Sequence, residues 1–106
     1  MVDLKAIGKR IKHYRECERL TQSALAERLE VSASYISQVE RGIAVVSLKR
    51  LDEISEYVGT TLQALVADVD VNRKDYLVSE IAEKIDPLPP RDRKRLLAMI
   101  DAYIIS

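Results

Sequence analysis

The stretch that most constrains the fold runs from Thr21 to Gly42, TQSALAERLEVSASYISQVERG. Leu25, Ala26 and Leu29 recur at helical spacing in its first half, and Ile36 and Val39 in its second. Thr21 and Ser32 stand where N-caps belong, although Ala24 occupies the position of a capping-box acid. Only Glu30 to Ser32 separate the two helices. So short a connection forces a sharp crossing rather than a relaxed hairpin. Gly42 supplies the left-handed stop.

The flanking segments read as supports for this pair. Leu4, Ile7, Ile11 and Tyr14 give a preceding helix one buried stripe, with Lys5, Lys9 and Lys12 on its other side as a solvated face, one of them within reach of a phosphate. Ser47 caps a fourth helix with Leu48, Leu51, Ile54 and Val58 inward and Gly59 as its stop; Thr61 caps a fifth, with Leu62, Leu65 and Val66 inward. With three Gly, three Pro, no Phe and no Trp in 106 residues, long helical elements and few turns are expected. The fold class is therefore all-α, with a five-helix domain over residues 1–69.

Ala67 to Asn72 alternates Asp with Val or Ala and reads as a linker or frayed helix end. A second unit, residues 70–106, follows as a two-helix hairpin. Leu77, Ile81 and Ile85 mark its first helix, and Pro87, Pro89 and Pro90 interrupt the chain before a last helix opening near Pro90. That last helix carries two apolar stripes, Leu97-Ile100-Ile104 and Leu96-Met99-Tyr103. A hairpin cannot bury both, so a second partner is implied: the N-terminal domain or another copy of the chain. The expectation taken forward is another copy, making Leu96, Leu97, Met99, Ile100, Tyr103 and Ile104 a dimerisation surface.

The formal net charge is zero, but its distribution is not even. Residues 1–50 hold ten Lys/Arg against six Asp/Glu, and residues 51–106 hold seven against eleven. A basic first half with an acidic follow-on fits one side facing nucleic acid and another turned away. Cys17 is the single cysteine, which excludes an intramolecular disulfide and fits a reducing compartment. Met1 to Lys12 is too charged for a signal peptide, and no apolar run approaches the roughly 18 residues that span a bilayer. No membrane association and a cytoplasmic location are expected.

Two constellations carry chemistry. Ser34, Gln38 and Arg41 share one outward stripe of the third helix, beside Ala33 and Ser37. Gln can make paired hydrogen bonds to adenine in the major groove, and short Ser and Ala side chains allow close approach. Gln22, at the start of the second helix, is placed to bond a phosphate, aided by that helix end. By spacing alone this stripe reads equally as a base-reading face or as ordinary solvated surface. The other constellation is Arg15, one turn after Ile11, and Glu40, one turn after Ile36. Both charges border the core, so they have to pair; removing one partner of such a pair costs about 3–5 kcal/mol.

The stretch from Ile7 to about Val66 resembles the Cro/repressor-type (XRE) helix-turn-helix family. The matching residues are Ile11-Lys12, Arg15, Thr21-Gln22, Leu25-Ala26-Glu27, Val31-Ser32, Ile36-Ser37-Gln38, Glu40-Arg41-Gly42, Ser47-Leu48, Leu51, Ile54, Gly59 and Leu65. The resemblance implies a lambda-repressor-like domain in a sequence-specific DNA-binding transcriptional regulator, usually a repressor that binds a palindromic operator as a homodimer. It further implies that Gln22 contacts the DNA backbone and braces the reading residues. Ala33, Ser34, Tyr35 and Gln38 would face base edges and Arg41 a phosphate, while Arg15 and Glu40 match the family's buried ion pair. This chain departs from the pattern after Gly42, where Ile43-Ala44-Val45-Val46 replaces the usual basic residue and Pro. Those four residues pack across a dimer seam or tuck into the core.

The alternative is a protein-interaction module or antitoxin-type adaptor that uses the same fold to bind a partner protein, favoured by the apolar loop and the doubly striped last helix. Catalysis is not expected. One His (His13) and one Cys (Cys17) do not make a zinc site without help, and no Gly-rich phosphate loop or nucleophile–base arrangement stands out. No cofactor and no metal are expected; double-stranded DNA is the expected partner.

Overall fold

The computed structural model describes residues 3–67 and 80–105, and for residues 103–105 the backbone alone. Among the described residues every regular element is a helix. They are α1 (Leu4–Cys17), α2 (Gln22–Leu29), α3 (Ala33–Glu40), α4 (Leu48–Tyr57), α5 (Leu62–Val66), a helical segment over residues 80–85 (α6), and α7 (Pro90–Ile105). The expected caps are in place. Thr21, Ser32, Ser47 and Thr61 each accept the backbone N–H three residues on, at 3.0, 3.0, 3.1 and 3.2 Å. Asp3 does the same for α1 at 3.2 Å. Gly42 and Gly59 leave their helices at φ +74°, a backbone region costly for any residue with a Cβ.

α2 and α3 cross through Glu30–Ser32, as the short connection requires. Glu30 itself takes the left-handed conformation (φ 59°), and the Val31 N–H closes the turn onto the Ala26 carbonyl at 3.0 Å. α1 packs on α3 and α4 on α2, and α5 closes the core against α1 and α4. Ile11, Leu25, Ile36, Ile54 and Leu65 are fully enclosed.

The hairpin joins this same core. Ala82, Ile85 and Leu97 belong to one apolar cluster with α1–α5, and Ile81 and Ile100 lean on it. Leu97, assigned from sequence to a seam between copies, has 0% exposure inside its own chain and is corrected to a core residue. Burial of that order stabilises by about 1.5–3 kcal/mol per side chain. Leu96 and Met99 remain exposed on the flank of α7, while the Tyr103 and Ile104 side chains and Leu77 lie outside the described residues. The boundary expected between residues 69 and 70 also lies outside them.

Polar clasps fasten the hairpin as well. The Arg93 guanidinium donates to Asp52 Oδ1 (2.9 Å), to Glu56 and to the Leu88 carbonyl (3.1 Å). Asp86 accepts the Gln63 N–H at 2.9 Å, and Asp101 accepts those of Leu48 and Lys49 at 2.9 and 3.0 Å. α7 thus lies along α4 with its later turns beside the start of α4 and its first turn beside the middle.

Candidate nucleic-acid interface

α3 is only eight residues long, too short to be stable alone, so its orientation is imposed by its neighbours. Ile36 and Val39 anchor its inner face. Glu40, 7% exposed, closes its last turn against Arg15 of α1, 8% exposed. The Arg15 Nε donates to Glu40 Oε2 at 2.6 Å and its Nη2 to Oε1 at 3.0 Å, while Nη1 donates to the Leu20 carbonyl at 2.7 Å. The fork matches the carboxylate on both oxygens, the strong geometry for such a pair. The hydrogen bond that Arg15 donates to Glu40 raises the Arg15 pKa above its ordinary value, outweighing the burial that lowers it, with the Glu40 and Glu16 charges adding to the rise. The guanidinium therefore stays charged at every working pH.

Gly8 makes this approach possible. A Cβ there would lie 2.4 Å from the Glu40 carbonyl oxygen and 2.6 Å from that of Val39. The backbone of α1 therefore touches the last turn of α3 directly. The sequence carries a signal for this, since a glycine inside an otherwise good helix marks a close approach, whereas the apolar spacing of α1 reports only which face is buried.

Gln22 sits where α2 begins and its Nε2 donates to Glu40 Oε1 at 3.0 Å. One amide hydrogen is thus committed to the ion pair, and among the described residues the second has no partner, which leaves it for an outside acceptor such as a phosphate. The outward stripe is as the spacing drew it: Ser34, Gln38 and Arg41 are exposed, and Ser37 is half-buried. Ala33 and Tyr35 are half-buried and lean on the core, so each presents only part of its surface outward. Arg41 lies along the helix, its Nε 3.4 Å from the Ser37 carbonyl. Beyond it the Ile43 N–H donates to the Gln38 carbonyl at 3.0 Å. The apolar loop divides: Ala44 and Val46 pack on the core, whereas Ile43 and Val45 are 61% and 86% exposed.

Elsewhere, the Arg10 guanidinium gathers the carbonyls that end α5, those of Ala64 and Leu65 at 3.3 Å and that of Ala67. Cys17 Sγ lies 3.8 Å from His13 Nε2 on the exposed side of α1. Among the described residues no group of three or more His, Cys, Asp or Glu side chains is placed to hold a metal ion, and no helix is long and apolar enough to cross a membrane.

Two short capped helices crossing through three residues, with the second held by a buried ion pair and turned polar side out, define a helix-turn-helix protein. Residues 6–69 match the family described as Helix-turn-helix domain, and the chain belongs to that family, as a member of the Cro/repressor (XRE) type. Among its relatives is the control protein C.MunI of a Mycoplasma species, 35% identical over 66% of this chain and 97% of that protein. The immunity repressor protein of Bacillus phage phi105 is 36% identical over 58% of this chain, and the transcriptional regulator SinR of Bacillus licheniformis 33% identical over 65%. The matched stretch spans 43% of the phage repressor and 63% of that SinR, less than two thirds of either. An HTH_3 family transcriptional regulator from Vibrio cholerae shares the fold, with a TM-score of 0.55 at 24% identity over 62% of this chain and 37% of that one.

Proposed function

We propose that the chain is a DNA-binding transcriptional regulator, most simply a repressor, that lays α3 in the major groove of an inverted-repeat operator. The observation that carries this reading is that the short helix bearing the exposed Ser34-Gln38-Arg41 stripe is braced through its own buried Glu40 by Arg15 of α1 and the half-buried Gln22 of α2. Solvated surface has no need of such bracing; a reading helix does, because base contacts demand fixed geometry. In this reading Gln38 contacts a base edge, flanked by Ser34, Ala33, Tyr35 and Ser37, while Arg41 and the free amide hydrogen of Gln22 hold phosphates. The exposed Leu96–Met99 flank of α7, bordered by Ile100, is the surface we assign to a second copy. Two-fold pairing then sets half-sites about 34 Å apart.

Selection of bound sequences from a random duplex pool, by wild type and by Gln38→Ala, tests the reading. The wild type enriches an inverted repeat. The variant binds that site more weakly by about 1–3 kcal/mol with unchanged thermal stability. Equal weakening on every sequence removes Gln38 from the base-reading role.

A second reading, a protein-interaction module on the same fold, is favoured by the exposure of Ile43 and Val45 next to α3. The two separate on salt. Binding to duplex DNA weakens steeply as salt rises, with a slope near −0.9 per neutralised phosphate. Docking of a protein on the apolar loop does not.

A further inference from the structure

We propose that Lys5 is a further DNA-contacting residue of the reading unit, its ammonium holding a backbone phosphate at or beside the one assigned above to Arg41. The proposal rests on the DNA-binding reading and names the residue through which α1 takes part in it.

The end of α3 is seated on the first turn of α1. Gly42, the residue after Arg41, has φ +74°, and a Cβ built on it would lie 2.6 Å from the Lys5 Cα, 2.7 Å from its N and 2.7 Å from its Cγ. One bond length further puts the two Cα atoms at most about 4 Å apart. Consecutive Cα atoms are about 3.8 Å apart, so the Lys5 and Arg41 backbones lie within roughly 8 Å of each other. Each strand of a duplex carries a phosphate for about every 3.4 Å of its axis. Two exposed cations rooted that close together meet one phosphate row, at the same or at neighbouring phosphates. Packing fixes this spacing. Gly8, one turn further along α1, touches the Glu40 and Val39 carbonyls in the same direct way, and the Arg15–Glu40 pair locks the two helices two turns beyond that.

The Lys5 side chain is also in the state such a contact needs. It is exposed, and its Cγ rests where a side chain on Gly42 would be, so its stem crosses the end of α3. Among the described residues it forms no ion pair. The other α1 guanidinium groups are engaged, Arg15 by Glu40 and Arg10 by the carbonyls that end α5. After Gly42, residues 43–46 offer a phosphate no cation, and Lys5 supplies one from the neighbouring helix. It stands one residue before the stretch 6–69 that matches the family, so the contact is an addition of this chain to the shared domain. Lys9, one turn on, is exposed too, but it lines a cleft with Ala64 and Ala67 to which α3 contributes no described residue.

The test is fluorescence anisotropy of the full chain on a labelled random-sequence duplex between about 50 and 200 mM salt, comparing wild type with Lys5→Gln, Lys5→Arg and Lys9→Gln. Glutamine keeps the Cβ and the Cγ that lies on Gly42 and removes the charge. Lys5→Gln is expected to flatten the slope of log K against log salt by about 0.9, the share of one neutralised phosphate. It then binds more weakly than wild type at the low-salt end, and that deficit shrinks about three- to fourfold across the range. Lys5→Arg keeps the parental slope, and so does Lys9→Gln, which makes the same charge change one turn away. Melting temperatures stay at the wild-type value. An unchanged slope in Lys5→Gln overturns the proposal, as does an equal flattening by Lys9→Gln, which would make the effect one of net charge rather than contact. If Lys5→Gln melts early, Lys5→Met decides, since it puts an apolar stem back on Gly42 without a charge. A flattened slope at parental stability then supports the contact, whereas loss of stability in both variants makes Lys5 a packing residue and overturns it. Failure of wild type to bind duplex at the low-salt end instead removes the DNA-binding reading itself.

Discussion

Gly8→Ala sets two well-known effects against each other, and the structure decides between them. In an isolated helix the change stabilises by about 1 kcal/mol, because alanine is the better helix former and restricts the unfolded chain. Here the new Cβ lands 2.4 Å from the Glu40 carbonyl oxygen and 2.6 Å from that of Val39. Both are backbone atoms, so no flexible side chain can swing aside. To reach even a tight 3.0 Å contact, α1 and α3 have to separate by about 0.6 Å. Overpacking of this kind costs about 1–3 kcal/mol. The same movement pulls on the Arg15 Nε–Glu40 Oε2 bond, now 2.6 Å, and a weakened hydrogen bond between buried charges adds about 1–2 kcal/mol. The net expectation is destabilisation by about 1–4 kcal/mol. Urea denaturation followed by far-ultraviolet circular dichroism measures it, with Gly8→Ala compared against an exposed α1 substitution such as Lys12→Ala. A Gly8→Ala protein as stable as wild type, or more so, would refute the direct contact between α1 and the end of α3.

The other polar networks make their own predictions. Arg15→Ala leaves the Glu40 carboxylate buried without its partner and should cost about 3–5 kcal/mol; an unchanged melting temperature would remove the pair from any role in holding α3. Arg93→Ala should be similarly damaging, because Asp52 is 1% exposed and its Oδ2 has no hydrogen-bond partner among the described residues. The double change Asp52→Leu with Arg93→Met should recover most of that loss, since a buried ion pair replaced by apolar groups of similar size is often neutral or stabilising; equal damage in the single and double variants in calorimetry argues against it. Asp52 also predicts a pH dependence. Burial raises its pKa above 3.8, helped by the Glu56 and Asp86 charges and opposed by Arg93 through charge and hydrogen bond. The folded chain thus holds that proton more tightly than the unfolded one, so the Asp52 contribution to stability is largest below about pH 4 and falls as pH rises through the raised value. The stability of wild type minus that of Asp52→Asn should therefore decline from pH 4 toward neutrality in urea titrations, and a flat or rising difference contradicts the assignment.

The helix-turn-helix itself is legible because caps, apolar spacing and stop point the same way. Thr21 and Ser32 cap, Leu25 and Ile36 turn inward, and Gly42 stops the second helix. Arg15 and Glu40 were also readable, because each stands one turn from a buried isoleucine and a charge so placed has to find a partner. The same reasoning, applied to Leu97, points to Arg93 and Asp101, which lie one turn before and one turn after it. Both turn out to be clasps between α7 and α4. What hid them was the second stripe. With Leu96 and Met99 also apolar, the last helix looked like a surface in search of another copy, and periodicity alone cannot say which stripe meets its own chain. Gly8 stayed hidden for a related reason: a helical pattern reports which face is buried, not how closely the neighbouring backbone approaches.

The placement of Leu97 changes what the hairpin does for the reading unit. A free dimerisation arm would act on DNA binding only by raising the local concentration of a second α3. An arm packed on α4 through Leu97, Arg93 and Asp101 acts on the unit directly. α4 touches α2, α5 and α1, and the loop leading into it starts at the Gln38 carbonyl. The reading face is itself nearly neutral, with Arg41 at its edge and no cation in residues 43–46. Under the proposed function, discrimination then falls to the short polar side chains of α3, and the packing of α7 on α4 helps to hold the unit that carries them.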